Sequence, residues 1–192
     1  MSMGFRNYLA QRIELTSSDW ELVEKYLPAR PVQKGELLLQ EGEISKSFFF
    51  NQSGFIRLYY TLGSEERTAW FYPENQFISA YASFVRQEPS QMNLQAMEDG
   101  EVIEITLEAS MALLQGSPRF EALARMAMEE ELISHQDMVQ MLLTLTPEER
   151  FASLLEKNPE VFTRIPQHYI ASYLGMQPES LSRIKKRYYQ KS

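Results

Sequence analysis

Residues 167–187 combine residue type and spacing in a way that implies a definite chemistry. Counting Gln167 as the first position, Ile170 is fourth, Ala171 fifth, Leu174 eighth, Gly175 ninth, Met176 tenth, Leu181 fifteenth and Ile184 eighteenth. That is the spacing of a helix-turn-helix. The small residue at the fifth position lets two helices cross closely. Glycine at the ninth permits the positive φ of a tight turn. The apolar positions fix the angle between the helices, and Pro178 suits the first turn of the second. That second helix displays Gln177, Glu179, Ser180, Ser182, Arg183, Lys185, Lys186 and Arg187. Arg183 has the donor fork for a guanine edge, and Glu179 can accept from a cytosine amino group. Lys185, Lys186 and Arg187 match phosphates. A solvated structural helix pair would share the apolar spacing, but it would not need so many cations.

The charge distribution favours the DNA reading. The chain has 192 residues and a net charge of −7. Residues 1–163 hold 13 basic and 25 acidic residues, a net of −12, whereas residues 164–192 hold six basic and one acidic, a net of +5. An acidic body with a compact basic end has an electrostatic footprint confined to that end.

Other chemistries lack their residues. There is no Cys, which removes disulfides, thiolate metal sites, thiol nucleophiles and cysteine-held iron–sulfur clusters. The two His, His135 and His168, leave little for a metal centre, and none lies in residues 32–107. A cupin-like metalloenzyme would need His or carboxylates converging inside a barrel. No phosphate-cradling glycine loop and no Ser–His–Asp pattern is present. No apolar run approaches the roughly 20 residues of a membrane span. Arg6 and Arg12 interrupt the one apolar stretch of the N-terminus, unlike a secretory signal. The expected compartment is the cytoplasm, with no membrane partner and no cofactor.

The elements that must position the basic end follow from periodicity. Residues 17–27 read as an amphipathic helix, with Ser18 and Glu21 at capping-box spacing and Pro28 closing it. From 32 to 107, short aromatic and β-branched segments alternate with turn signals: 37–40, 48–51, 55–61, 68–72, 93–97 and 101–106. This pattern predicts a β-sandwich or roll. Residues 77–85 fit a short helix or a loop as well as a strand. A helix over 108–115 precedes Ser117-Pro118. Residues 119–145 then run without Gly or Pro, with Phe120, Leu123, Ala127, Met138, Met141 and Leu145 near helical spacing, which predicts a coiled-coil dimer seam. Thr146-Pro147-Glu148-Glu149 is a strong helix start. Residues 161–165 are expected to supply at most one strand of a reduced wing.

These residues resemble, over nearly the whole chain, bacterial transcription regulators of the Crp/Fnr type. Lys34-Gly35-Glu36, Glu41-Gly42-Glu43 and Gly54-Phe55-Ile56-Arg57-Leu58 are similar to the family's cyclic-nucleotide-binding-like roll. Asn75-Gln76-Phe77-Ile78 falls where the family has its phosphate-binding cassette. Glu179, Ser182 and Arg183 match its E-x-x-S-R recognition motif, although Pro178 departs from the commoner residues there. The resemblance implies double-stranded DNA as partner, a two-fold-symmetric site with TTGA-like halves, a homodimer, and contact with RNA polymerase. The ligand positions depart further. Ser79, Ala80 and Tyr81 stand where cyclic-AMP-binding members have Gly-Glu-Leu, and Ser90 and Gln91 where they have an arginine pair. A cyclic phosphate without its cation is poorly held. His135 alone would have to serve a haem.

The expected fold is therefore α+β: an N-terminal cupin-like double-stranded β-roll, a long dimerisation helix, and a C-terminal all-α helix-turn-helix domain with a reduced wing. The expected boundaries are 1–116, 117–145 and 146–192. The expected function is a dimeric DNA-binding regulator not responsive to cyclic AMP. Candidate effector-lining residues are Phe50, Trp70, Tyr72, Ala80, Tyr81, Ser90, Gln91, His135 and Gln136. A non-nucleotide small-molecule sensor acting mainly through protein partners is the alternative.

Overall fold

The computed structural model describes residues 3–191. Two helices, α1 (Met3–Arg12) and α2 (Ser17–Tyr26), precede the strands β1 (Ala29–Val32), β2 (Leu37–Leu39), β3 (Ser47–Ser53), β4 (Ile56–Leu62), β5 (Glu65–Tyr72) and β6 (Gln76–Ile78). Next come a short helix α3 (Tyr81–Arg86), strands β7 (Asn93–Ala96) and β8 (Gly100–Thr106), and helices α4 (Leu107–Gly116) and α5 (Pro118–Thr144). The chain continues as α6 (Pro147–Lys157), α7 (Val161–Arg164), α8 (Gln167–Tyr173) and α9 (Pro178–Lys191). Among the described residues no helix is long and apolar enough to cross a membrane.

The strands form two four-stranded sheets, in the orders β1-β8-β3-β6 and β2-β7-β4-β5. Pairing of β1 and β3 with β8, of β3 with β6 and of β2 with β7 is antiparallel. The mixed α+β roll expected from the sequence is the observed fold. The uncertain segment 77–85 divides between β6 and α3. β1 is an unforeseen strand: Pro31 sits opposite Glu101 on a sheet edge, where a missing N–H breaks no ladder.

The period-two signal locates the strands, but both faces of β3 are covered. Phe48 and Phe50 lie on the helix-bearing face with Phe5 and Tyr8 of α1; Phe50 is 4.7 Å and 4.8 Å from those two rings and 5.2 Å from Phe77. Phe49 and Asn51 occupy the opposite face, where Asn51 Nδ2 donates to the carbonyls of Gly54 and Tyr72. Phe5, Leu9, Val23, Leu27, Leu113 and Phe120 complete the core between sheet and helices.

Two local expectations are corrected. The capping box of α2 is built by Thr16 and Asp19, not by Ser18 and Glu21. Thr16 donates its backbone N–H to Asp19 Oδ2 at 2.8 Å, and Asp19 N–H donates to Thr16 Oγ1 at 3.3 Å. Asp19 is buried and so needs partners that an exposed Glu21 does not. Residues 161–164 form a helical turn rather than a strand, closed by the Ile165 N–H on the Val161 carbonyl. Among the described residues no strand follows β8.

The backbone divides into two compact units. One takes the residues up to Leu58 together with Phe71–Glu131; the other takes Tyr59–Trp70, the tip of the β4–β5 hairpin, with the residues from Leu132 onward.

Candidate nucleic-acid interface

Helix α6 begins as its sequence dictates. Thr146 caps it, Glu149 closes the box at 2.8 Å from the Thr146 N–H, and Pro147 occupies the first turn. Its Phe151 and Leu154 are buried, as are Val161, Ile165, Ile170, Ala171, Leu174, Leu181 and Ile184 of the helices that follow. Phe151 meets Phe162 edge-on at 5.2 Å and Tyr188 at 5.4 Å. Four helices thus share one small core, which fixes α9 without any sheet.

The turn between α8 and α9 has the predicted cause. Gly175 has φ +67°, and the Met176 N–H returns to the Ala171 carbonyl at 3.0 Å. A Cβ on Gly175 would also stand 3.2 Å from Arg150 Nη1. Arg150, from α6, is a residue that spacing did not single out; its Nε is buried without a hydrogen-bond partner. Ala171 is fully buried at the crossing of the two helices.

On α9, Leu181 and Ile184 turn inward. Gln177, Glu179, Ser182, Arg183, Lys186 and Arg187 are exposed, and Ser180 and Lys185 are half-buried. Arg183 Nη2 donates to Ser180 Oγ at 3.2 Å, one turn back along the helix. Arg187 Nη2 is paired with Glu148 Oε1 of α6 at 2.7 Å on the surface. Such exposed pairs are weak, so this guanidinium remains exchangeable toward a phosphate. Glu179 in the first turn complements the positive helix end. The result is a rigid helix with one apolar face and one cationic face, the arrangement that reads a groove.

The hairpin tip touches this region. Thr68 N–H donates to Ser172 Oγ of α8 at 2.9 Å, and Ser172 Oγ donates to the Glu66 carbonyl at 3.3 Å. Trp70 lies edge-on to Tyr173 at 6.3 Å and to His135 of α5 at 5.9 Å. Neither contact carries a signal in local sequence.

The candidate effector-lining residues are dispersed. Phe50 is fully buried within the aromatic core, and Tyr72 and Ala80 are buried. Ser90 spends its hydroxyl in a turn, donating to the Met92 carbonyl at 2.9 Å and accepting the Met92 N–H at 3.1 Å. Tyr81 and Gln91 are exposed. Trp70, His135 and Gln136 belong to the second unit, where Trp70 is half-buried and the other two are exposed. Among the described residues no group of three or more His, Asp or Glu side chains gathers in a metal-holding arrangement.

The long helix α5 also differs from its expected pattern. Phe120 and Leu123 of the predicted stripe are buried in the chain's own core, and Ala127, Met138, Met141 and Leu145 are half-buried. The exposed large apolar residues of α5 are others: Met128, Leu132, Ile133, Val139, Leu142 and Leu143.

Comparison with known proteins gives concordant likenesses. Residues 29–117 match the cyclic nucleotide-binding domain. The chain is 27% identical over 145 residues to the transcriptional activator protein Anr of Pseudomonas aeruginosa, covering 74% of this chain and 59% of that protein. It is 29% identical over 127 residues to the transcriptional activator protein FnrA of Stutzerimonas stutzeri, covering 66% and 51%. The chain thus spans between half and three-fifths of these relatives. The structure of FixK2 from Bradyrhizobium japonicum superposes with a TM-score of 0.74 at 17% identity, over 86% of this chain and 85% of that one. The c-di-GMP responsive global regulator CLP of Xanthomonas campestris gives 0.71 at 16% identity, over 92% and 93%. At such identities the likeness establishes the fold.

Proposed function

We propose that this chain, similar to regulators of the Crp/Fnr type, is a sequence-specific DNA-binding transcription regulator that reads the major groove with α9. The observation that carries the reading is the helix-turn-helix geometry: Gly175 at φ +67°, Ala171 at the crossing, and Arg183, Lys186 and Arg187 on the outward face of α9. Arg183 and Glu179 address base edges, while Lys185, Lys186 and Arg187 address phosphates.

The functional unit in this proposal is a homodimer joined through α5. Leu132, Val139 and Leu142 succeed one another by seven and then three positions, which is heptad spacing on an exposed face. A two-fold protein then recognises a two-fold site, with half-sites about one helical turn apart. The division of labour follows the boundaries 1–116, 117–145 and 146–192: sensor, seam and reading head. Transcription regulation in this scheme needs no catalytic residue.

Cyclic AMP is not the effector in this reading. Ser79 and Ala80 offer no carboxylate for a ribose, and Ser90 and Gln91 offer no cation for a phosphate.

Selection of random duplex DNA by the purified chain is the test. A palindromic consensus, bound with nanomolar-range affinity and lost on salt addition, is expected. Retention of random sequence without enrichment would overturn the assignment of α9 as a reading helix.

A further inference from the structure

A side chain of the helix-turn-helix occupies the outer edge of β5. That strand ends its sheet, in the order β2-β7-β4-β5, and among the described residues no strand pairs with its outer side. Outward N–H and carbonyl groups on such an edge want partners. Ser172 of α8 supplies them at the hairpin tip. Its Oγ accepts the Thr68 N–H at 2.9 Å and donates to the Glu66 carbonyl at 3.3 Å. A hydroxyl does both at one atom. Thr68 is buried, so its N–H needs this acceptor. One residue on, Tyr173 meets Trp70 edge-on at 6.3 Å, and Trp70 meets His135 of α5 at 5.9 Å. Residues Tyr59–Trp70 accordingly form one compact unit with the residues from Leu132 onward.

The tip so fastened is acidic. Glu65, Glu66 and Arg67 are exposed, and the one cation is already spent, with Arg67 Nη2 2.6 Å from Glu65 Oε2. A crevice of about 470 Å³ runs between these side chains and His168, Gln177 and Pro178 of the helix-turn-helix. When this motif docks on DNA, its first helix crosses the phosphate backbone and the start of its second helix enters the groove. Here those parts are α8 and the first turn of α9. The phosphate strand that must pass there would meet two carboxylates and a guanidinium that one of them already holds.

We propose that the tip of the β4–β5 hairpin is an acidic latch on the reading head. Fastened to α8 through the Ser172 hydroxyl, it holds the head in a state of low DNA affinity, and DNA binding requires those bonds to open. The latch acts on DNA binding, and so rests on the reading of α9 as the groove-entering helix. Ser172 touches no DNA in this scheme, because its hydroxyl is spent on the strand edge. It is only half-buried, and hydrogen bonds of that kind have a small net worth, so the latch is reversible.

The test uses the full chain and a duplex enriched on it from random DNA. Hydrogen exchange at the Thr68 amide reports the latch, and fluorescence anisotropy reports DNA affinity. Ser172→Ala should speed that exchange and tighten DNA binding, each by about fivefold, the net worth of one hydrogen bond. Thermal melting checks its fold. Ser172→Thr keeps the hydroxyl and should behave as the parent. Glu65→Gln with Glu66→Gln leaves the bonded backbone in place. It should not alter Thr68 exchange, but should tighten binding at low salt, with the gain fading as salt screens the charges. In the parent, saturating duplex should speed Thr68 exchange, since a latch that opposes DNA must be opposed by it. Unchanged Thr68 exchange in Ser172→Ala overturns the proposal. So does a Ser172→Ala that binds DNA no more tightly than the parent, or a bound duplex that leaves Thr68 exchange unchanged or slower. Should Ser172→Ala fail to fold, the effect of duplex on the parent and the paired Glu variant decide. If neither the parent nor any folded variant binds duplex DNA, the reading of α9 falls first, and the inhibitory role falls with it.

Discussion

Arg183 stands on solvent and donates to Ser180 Oγ of its own helix at 3.2 Å, which leaves donors of its fork for a base pair. Arg183→Ala should weaken operator binding by about 1–3 kcal/mol and relax specificity at one base position. Fluorescence anisotropy against consensus and mutated duplexes measures both effects. Gly175 answers to a different constraint. An L side chain at φ +67° is strained by about 1–2 kcal/mol, and Arg150 crowds the same point at 3.2 Å. Gly175→Ala should lower the midpoint of urea unfolding by a corresponding amount. Asp19 sets an acid limit. Burial opposes its ionisation, but hydrogen bonds from the Thr16 side chain and backbone and from Ser117, with Arg119 at 3.7 Å, outweigh that and hold its pKa below the usual Asp value. A depressed carboxylate stabilises the fold fully above the unfolded pKa near 3.9. That contribution disappears as pH falls through the lower folded value. Asp19→Asn should therefore be less stable at pH 7 and show a shallower loss of stability between about pH 4 and pH 2, as followed by thermal melts across pH.

At the scale of elements, α5 shows where periodicity misleads. Phe120, Leu123, Ala127, Met138, Met141 and Leu145 have helical spacing, yet this row is the buried and half-buried face of the chain itself. A 27-residue helix has room for two apolar stripes, one turned to its own core and one outward. The outward stripe, Leu132, Val139 and Leu142, is the one on which dimerisation in the proposed function rests. Leu132→Glu should shift the chain toward monomer in analytical ultracentrifugation while leaving the melting of the roll nearly unchanged. The start of α6 was legible because Thr146, Pro147 and Glu149 satisfy local backbone donors within one turn. The start of α2 at Ser17 is as expected, but its capping box lies two residues earlier than the Ser18/Glu21 pair, since Asp19 and Glu21 both offer carboxylates and only burial distinguishes them. The strand at Ala29–Val32 is not legible in the sequence, because its proline speaks against strand until an edge position is known.

For the whole molecule, charge separation is the dominant sequence-level fact. A −12 body joined to a +5 end should bind DNA through that end and be repelled elsewhere. Affinity should fall linearly with salt on logarithmic axes, and Lys186→Ala should reduce the slope by about one per reading helix without altering the consensus. By itself the sequence determined the mixed α+β class, the long helix that follows the roll, the start of α6, and the helix-turn-helix with its outward residues. The helices and their caps depend on contacts within a few turns of chain, the strands announce themselves by local alternation and turn residues, and the basic end follows from a charge count that needs no geometry. The tertiary structure alone decided which apolar stripe of α5 is exposed, that Phe50 is core, that Ser90 is bound up in its turn, and that the hairpin tip meets α8 through Thr68 and Ser172. Burial arises from packing between segments as distant as Phe5 and Phe120, and period and composition do not encode which of several apolar faces that packing will cover.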